Sequence, residues 1–301
     1  VSVAPLRRSW DGPYMRILLI AGGWSTAREV SQNGAHAMQQ ALVERGHSVT
    51  FFDLLSGFYS LLETAAAHDF ALINLHGAPG EDGLVQAMLE RVGCPYQGSG
   101  PAGSFLALNK SAAKQIFRHA GLPTADWQFL PSAPKAGWQP SLPYPLFVKS
   151  NTGGSSLRMG RAANRAELDA VLQGIFDAGD EVIIEPVLAG RGVTCGILGD
   201  TAGDFSDYES KCANDGAREI CPAPISPALT ARVQELALAA HKALGLRGYS
   251  RADFILGADD SLAILEVNTL SGMTATSLVP REARTVGMDF GQLLEKLIEL
   301  G

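Results

Sequence analysis

The run Ile17–Ile20 is apolar without alternation, ends at Gly22-Gly23, and leads into a helical periodicity from Arg28 to Arg45 that closes at Gly46. Strand patterns at Ser48–Phe52, ended by Asp53, and at Phe70–Leu75 complete a β-α-β sequence. This alternation confines the first hundred residues to an α/β unit with a parallel sheet, because parallel strands need a crossover and are buried on both faces. The Gly-Gly turn invites a dinucleotide-binding reading. GGWSTA does not supply GxGxxG, however, and a nicotinamide enzyme is set aside.

After Gly98-Ser-Gly-Pro101 the pattern changes. Leu106–Ala120 reads as one helix ending at Gly121, and a loop rich in Pro, Ser and Trp (131–145) leads into a strand at Leu146–Lys149. A helix at Glu167–Ala178 and strands at Glu181–Glu185 and Thr194–Leu198 follow. Gly199 to Cys221 is polar and without hydrophobic periodicity, which predicts a long loop. Thr230–Leu244 is an amphipathic helix, Tyr249–Leu256 and Leu262–Val267 form a hairpin around Gly257–Asp260, and Phe290–Leu300 is a last helix. No internal repeat or low-complexity segment is present.

With 301 residues, 46% hydrophobic and 18% charged, the chain can build two or three sub-domains around real cores. A net charge of −7 argues against nucleic acid as a partner, which would demand a basic stripe. No apolar stretch approaches the roughly 20 residues of a membrane span. Four dispersed cysteines without a CxxC pair read as reduced, packed thiols, consistent with a cytoplasmic location. Met15 before Arg16-Ile-Leu-Leu-Ile looks like a natural beginning, so residues 1–14 read as an extension and not as a signal peptide.

The chemistry concentrates in three places. Arg251-Ala-Asp253 lies on one strand of the hairpin and Glu266-Val-Asn268 on the other. Strand side chains alternate faces, so a suitable register brings Asp253, Glu266 and Asn268 together as three hard oxygen ligands suited to magnesium. The alternative is a solvated face of a surface hairpin, which their setting inside apolar strands disfavours. Lys149 ends an apolar strand before Ser150-Asn-Thr-Gly-Gly-Ser-Ser156, a loop whose backbone could cradle phosphates, with Lys110 and Lys211 as further candidates. Any one of these lysines alone reads as a solvated surface residue, and no GxxxxGK[ST] occurs. Glu185 with Pro186-Val-Leu188 offers an acceptor and backbone edges for a purine, through Val187 and Leu188. Finally, His76-Gly-Ala-Pro-Gly80-Glu-Asp-Gly83 precedes a helix starting near Leu84, and a helix N-terminus favours anions.

Taken in order, GGWSTAREVS (22–31), HGAPGEDG (76–83), YQGSG (96–100), the LNK of Leu108–Lys110, FVKSNTGGSS (147–156), DYESK (207–211), RADF (251–254) and EVNTLSGMTATSLVP (266–280) resemble the D-alanine–D-alanine ligase family from about Ile17 to Leu300. The resemblance implies a three-domain ATP-grasp fold. An N-terminal α/β substrate domain would span 1–98, a central ATP-grasp subdomain 99–188, and a C-terminal subdomain with the metal and catalytic residues 189–301. It implies ATP held between the two later domains and two magnesium or manganese ions on Asp253, Glu266 and Asn268. Lys110, Lys149 and Lys211 would meet the phosphates, and Glu185, Val187 and Leu188 the adenine. Arg251 would neutralise a tetrahedral intermediate, helped by the backbone at Gly272. Ser277 and Leu278 would receive the second substrate's carboxylate, His76 would lie near the first substrate, and Ser155 would sit on the closing loop. Family members are commonly homodimers through the first domain.

The expected activity is ATP-dependent joining of two D-alanines through an acyl phosphate, for peptidoglycan precursors. Three positions depart from the family pattern. Ala27 stands where a glutamate usually meets the first substrate's ammonium, Cys212 where a tyrosine usually ends the lid, and Gly192 where a glutamate usually meets the ribose. The stretch between Gly199 and Asp207 is also short. These departures motivate a second reading, a related ATP-grasp ligase making another dipeptide or amide in secondary metabolism.

Overall fold

The computed structural model describes residues 14–154, 158–199, 220–274 and 276–301. Among the described residues there are three sheets. The first is parallel, with β1 (Arg16–Ala21) between β2 (Ser48–Asp53) and β3 (Phe70–Ile73). Ile17 to Ala21 are completely buried, which is why this strand shows no alternation. Helix α1 (Arg28–Glu44) lays Ser31, Gly34, Ala35, Met38 and Leu42 on the sheet at helical spacing. Helix α2 (Phe58–Ala66), which the sequence reading missed, and helix α3 (Leu84–Val92) complete the unit.

One expectation needs correction. Leu106–Ala120 is two helices, α4 (Pro101–Leu108) and α5 (Lys110–His119), separated at Asn109. Asn109 is extended (φ −79°, ψ 95°), and its side chain accepts from the Ala112 N–H, so it caps α5. The break turns Lys110 and Lys114 onto one face of a new helix, one turn apart.

The second sheet runs β4-β7-β5-β6, made of β4 (Gln128–Leu130), β5 (Leu146–Ser150), β6 (Met159–Ala162) and β7 (Val182–Pro186), all antiparallel and covered by helix α6 (Arg165–Phe176). The third runs β10-β9-β8, with β8 (Arg191–Leu198), β9 (Tyr249–Leu256) and β10 (Leu262–Asn268), and helix α7 (Pro227–Ala243) packs on it. Two short elements, β4 and β6, were not anticipated; neither has enough residues to show a period.

The cores cross the expected domain limits. Ala107 of α4 and Ala113 and Phe117 of α5 pack with the third sheet, although they lie within 99–188. Val279 and Ala283 of α8 (Leu278–Thr285) and Leu293, Leu294 and Leu297 of α9 (Phe290–Leu300) return to the N-terminal core. An isolated bridge between Thr124 and Ile264 ties the entry to the second sheet to the third. Among the described residues no helix is long and apolar enough to cross a membrane, and no disulfide joins the described cysteines.

Candidate active site

The hairpin of β9 and β10 carries a bulge. Ile264 pairs with Phe254, yet Glu266 pairs with Asp253 and Asn268 with Arg251, so Leu265 is an extra residue. Because side chains alternate, this single insertion resets the faces. Ala252, Phe254 and Leu256 point into the core with Ile264 and Val267, which are three residues apart rather than two. Arg251, Asp253, Glu266 and Asn268 therefore share the opposite face. Without the bulge, Leu265 would stand across from Asp253.

On that face Asp253 is the hub. Arg251 binds it with Nε at 2.9 Å and Nη2 at 2.8 Å, Asn268 donates to it at 3.0 Å, and the Thr194 hydroxyl of β8 donates as well. Glu266 lies 3.5 Å from the Lys110 ammonium, which also donates to the Gly153 carbonyl at 2.5 Å. Burial disfavours the Glu266 carboxylate, but Lys110, Lys149 and Arg251 outweigh it and hold its pKa below the ordinary value. Burial likewise opposes charge on Arg251, and Asp253, Glu266 and Glu282 more than offset it. Among the described residues no three His, Cys, Asp or Glu side chains gather as a metal site. The set at hand is two carboxylates and an amide, hard oxygen donors on one face beside three cations. That composition fits a divalent ion shared with phosphate oxygens.

Lys149, the penultimate residue of β5, forms an ion pair with Glu185 of β7 at 2.6 Å. Glu185 meets a second lysine, Lys114, at 2.5 Å. Burial raises the cost of ionising Glu185, and the two lysines overcome it, so its pKa is lowered. Lys149 is likewise penalised by burial, yet Glu185 and Glu266 raise its pKa overall. Val187 and Leu188 continue from β7 half-buried, and the Val187 N–H donates to the Pro145 carbonyl at 3.1 Å. Asn151 locks the loop after β5: its carbonyl accepts from the Lys110 N–H at 3.0 Å, and its amide oxygen accepts from the Ser111 N–H at 2.9 Å.

His76 follows β3. Burial lowers its pKa, with the Leu270 carbonyl opposing and Arg251 adding to the effect, and its Nε2 is buried with no hydrogen-bond partner. Gly83 (φ +89°) brings the loop so close to Pro101 that a Cβ would collide with the Pro101 carbonyl. Glu81 accepts from the Gly77 N–H at 2.8 Å, and burial, with Glu266 adding to it, pushes its pKa up to about 7 against the pull of Lys110 and Arg251. Ser277 occupies the N-cap position of α8, its hydroxyl accepting from the Thr274 N–H at 3.0 Å, and Leu278 opens the helix. A Cβ at Gly272 would lie 3.0 Å from the Ser277 hydroxyl, so the Ser277 side chain packs against the Gly272 backbone.

The structure thus brings together Lys110, Arg251, Asp253, Glu266 and Asn268, and separately Lys149 with Glu185. Ser155, Lys211 and Cys212 lie outside the described residues, as do 1–13 and most of the expected lid. Asp53, at the end of β2, is engaged: Arg28 binds its carboxylate, and the Gly23 N–H donates to it at 3.3 Å, closing the first turn. Ala27 precedes α1, and Glu29 is exposed in its first turn. Three residues were missed. Lys114 could have been found, since it lies four after Lys110; Glu81 was inside the quoted HGAPGEDG; Thr194 left no signal.

The family model described as "D-ala D-ala ligase C-terminus" matches residues 116–299. A D-alanine–D-alanine ligase of Desulfovibrio desulfuricans is 75% identical over 297 residues, covering 95% of this chain and 97% of that protein. One from Nitratidesulfovibrio vulgaris is 57% identical, covering 95% and 98%. The crystal structure of a D-alanine–D-alanine ligase from Bacillus anthracis complexed with ATP superposes with a TM-score of 0.87 at 33% identity, covering 95% of this chain and 97% of that one. Sequence and fold agree, and the chain belongs to the D-alanine–D-alanine ligase family, with its ATP-grasp fold.

Proposed function

We propose that this chain joins two D-alanine molecules at the expense of ATP, supplying the dipeptide of peptidoglycan precursors. The observation that carries the reading is the shared face of Arg251, Asp253, Glu266 and Asn268, with Lys110 reaching it from α5. The triphosphate would lie along Lys110 and Lys149, with Lys211 assigned by motif alone. Glu185 would accept a purine amino hydrogen, since a carboxylate oxygen bound by a lysine keeps a further lone pair. Val187 and Leu188 would line the base. Asp253, Glu266 and Asn268 would hold two magnesium ions, which when bound neutralise charge on the phosphates.

In the first step a carboxylate oxygen of one D-alanine attacks the γ-phosphorus, and the bond to ADP breaks. In the second, the amine of the other D-alanine attacks the acyl carbon of that acyl phosphate, phosphate leaves and a proton is released. Transfer of this kind depends on positioning and charge compensation rather than on a protein nucleophile. Arg251, held in place by Asp253, would stabilise the oxyanion with the Gly272 backbone. Ser277 and the Leu278 N–H at the start of α8 would take the second carboxylate. His76 would contact the first substrate, and Ser155 would sit on the loop above it. A homodimer through residues 1–98 and a cytoplasmic location belong to the same reading and rest on the family resemblance.

The second reading, a different dipeptide, starts from Ala27 and Cys212. The 75% identity to a protein named as a D-alanine–D-alanine ligase supports D-alanine instead. Phosphate release by the purified chain with ATP, magnesium and single or paired D- and L-amino acids tests this. D-alanine alone must support turnover; release only with other amino acids would overturn the assignment.

A further inference from the structure

Lys114 is a fully buried cation with no part in the chemistry above. Its side chain is 0% exposed, against 4% for Glu185 and 7% for Lys149. Its ammonium is held by three groups from two segments: it pairs with Glu185 at 2.5 Å and donates to the Thr124 hydroxyl at 2.7 Å and the Ala125 carbonyl at 3.3 Å. Thr124 in turn donates to the Ile264 carbonyl of β10 at 2.8 Å, two residues before Glu266. Lys149, by contrast, reaches Glu185 along a flexible stem from the strand that ends in the Gly153-Gly154 loop.

Two lysines converge on the Glu185 carboxylate, and Glu266 acts on Lys149 as well. Lys114 has three polar partners, whereas among the described residues Lys149 pairs with Glu185 alone, so an exchange of partners falls to Lys149. We propose that Lys114 is a positioning residue for nucleotide recognition, keeping Glu185 anionic and aimed at the base while Lys149 exchanges Glu185 for a phosphate oxygen. This rests on the reading of Glu185 as a base contact and Lys149 as a phosphate contact. Without Lys114, the departure of Lys149 would strand a buried carboxylate without a cation, a costly state. Glu185 would then either hold Lys149 back or take up a proton and turn away.

The test uses the full chain with magnesium and saturating D-alanine, comparing ATP with ITP, which lacks the purine amino group. Lys114→Met is expected to raise the KM for ATP at least tenfold and to lower the preference for ATP over ITP at least fivefold, with kcat within threefold. Lys114→Arg should recover part of the KM, and Thr124→Val, which removes one anchor and keeps the charge, should raise it at least twofold. Near-ultraviolet circular dichroism establishes that each variant is folded. A folded Lys114→Met with an ATP KM less than threefold raised, or with kcat falling equally for both nucleotides, overturns the proposal. If Lys114→Met does not fold, Thr124→Val decides, and a KM less than twofold raised overturns it. Glu185→Gln separates the two levels. If it too leaves the ATP KM and the ATP preference unchanged, the reading of Glu185 as a base contact fails and the role of Lys114 fails with it. If Glu185→Gln raises the KM and Lys114→Met does not, the role of Lys114 alone is refuted.

Discussion

Replacing Glu266 by glutamine removes one charge and almost no volume, so it separates the chemistry of the hairpin face from its packing. The Glu266 side chain is 32% exposed and lies 3.5 Å from Lys110. At that distance, with an effective dielectric of about 20, the gross attraction is about 5 kcal/mol. Most of it is offset by desolvation of the two groups and by the water that reaches Glu266, leaving a net stability loss of about 1–2 kcal/mol. For a chain of this size that lowers the melting temperature by only a few degrees. The effect on catalysis should be far larger. If Glu266 helps bind the ion that compensates the transferring phosphoryl group, losing about 4 kcal/mol of transition-state stabilisation costs about a thousandfold in turnover. The assay is phosphate release with ATP, magnesium and D-alanine, run beside a thermal melt of the same preparation. A variant that melts within a few degrees of the parent and keeps a tenth or more of its turnover would refute the assignment of Glu266 to the metal. A fall of ten degrees or more would show that its pairing with Lys110 is chiefly structural.

Three further outcomes follow from individual positions. Glu81, with its pKa raised from 4.5 to about 7, binds a proton in the folded state that it lacks when unfolded between those values. Stability should therefore fall as pH rises from about 4.5 to 7, by up to ~3 kcal/mol, and Glu81→Gln should flatten that part of a denaturant-midpoint profile; an unchanged profile would contradict the burial of this carboxylate. Gly83→Ala places a side chain at φ +89° and against the Pro101 carbonyl, which should cost about 2–4 kcal/mol in urea unfolding; a loss below 0.5 kcal/mol, taken as roughly the background of surface substitutions, would show that the loop relaxes freely. Asn109→Ala removes the cap of α5 and an acceptor for Asn151, with an expected loss of about 1–2 kcal/mol and a raised KM for ATP because Lys110 begins that helix. A variant as stable as the parent would mean that water replaces the cap.

The sequence carried a good deal of this. The parallel N-terminal sheet was legible because its central strand is buried on both faces and so reads as an unbroken apolar run. The later hairpin was legible because its turn residues, Gly257 to Asp260, separate two long strand patterns. Order and spacing of HGAPGEDG, RADF and EVNTLSGMTATSLVP were enough to suggest the family before any coordinates. The split at Asn109 was written in the sequence too, as a capping residue, but a continuous apolar period across it concealed the break.

Other features depend on contacts between segments far apart in the chain. Asp253 meets Glu266 and Asn268 on one face only because Leu265 is bulged, and a bulge depends on which side chains the core accepts, not on local propensity. Glu185 looks like any strand-end carboxylate until α5 brings Lys114 beneath it and β5 brings Lys149 alongside. The pKa of Glu81 rises because burial removes its water, with Glu266, 185 residues later, adding to the effect. Local sequence sets dihedral preferences and periodicity, and these gave the elements and the chemical inventory. Burial and Coulomb energies depend on distance in space, so only the folded chain decided which charges face one another, and which of them are free to move.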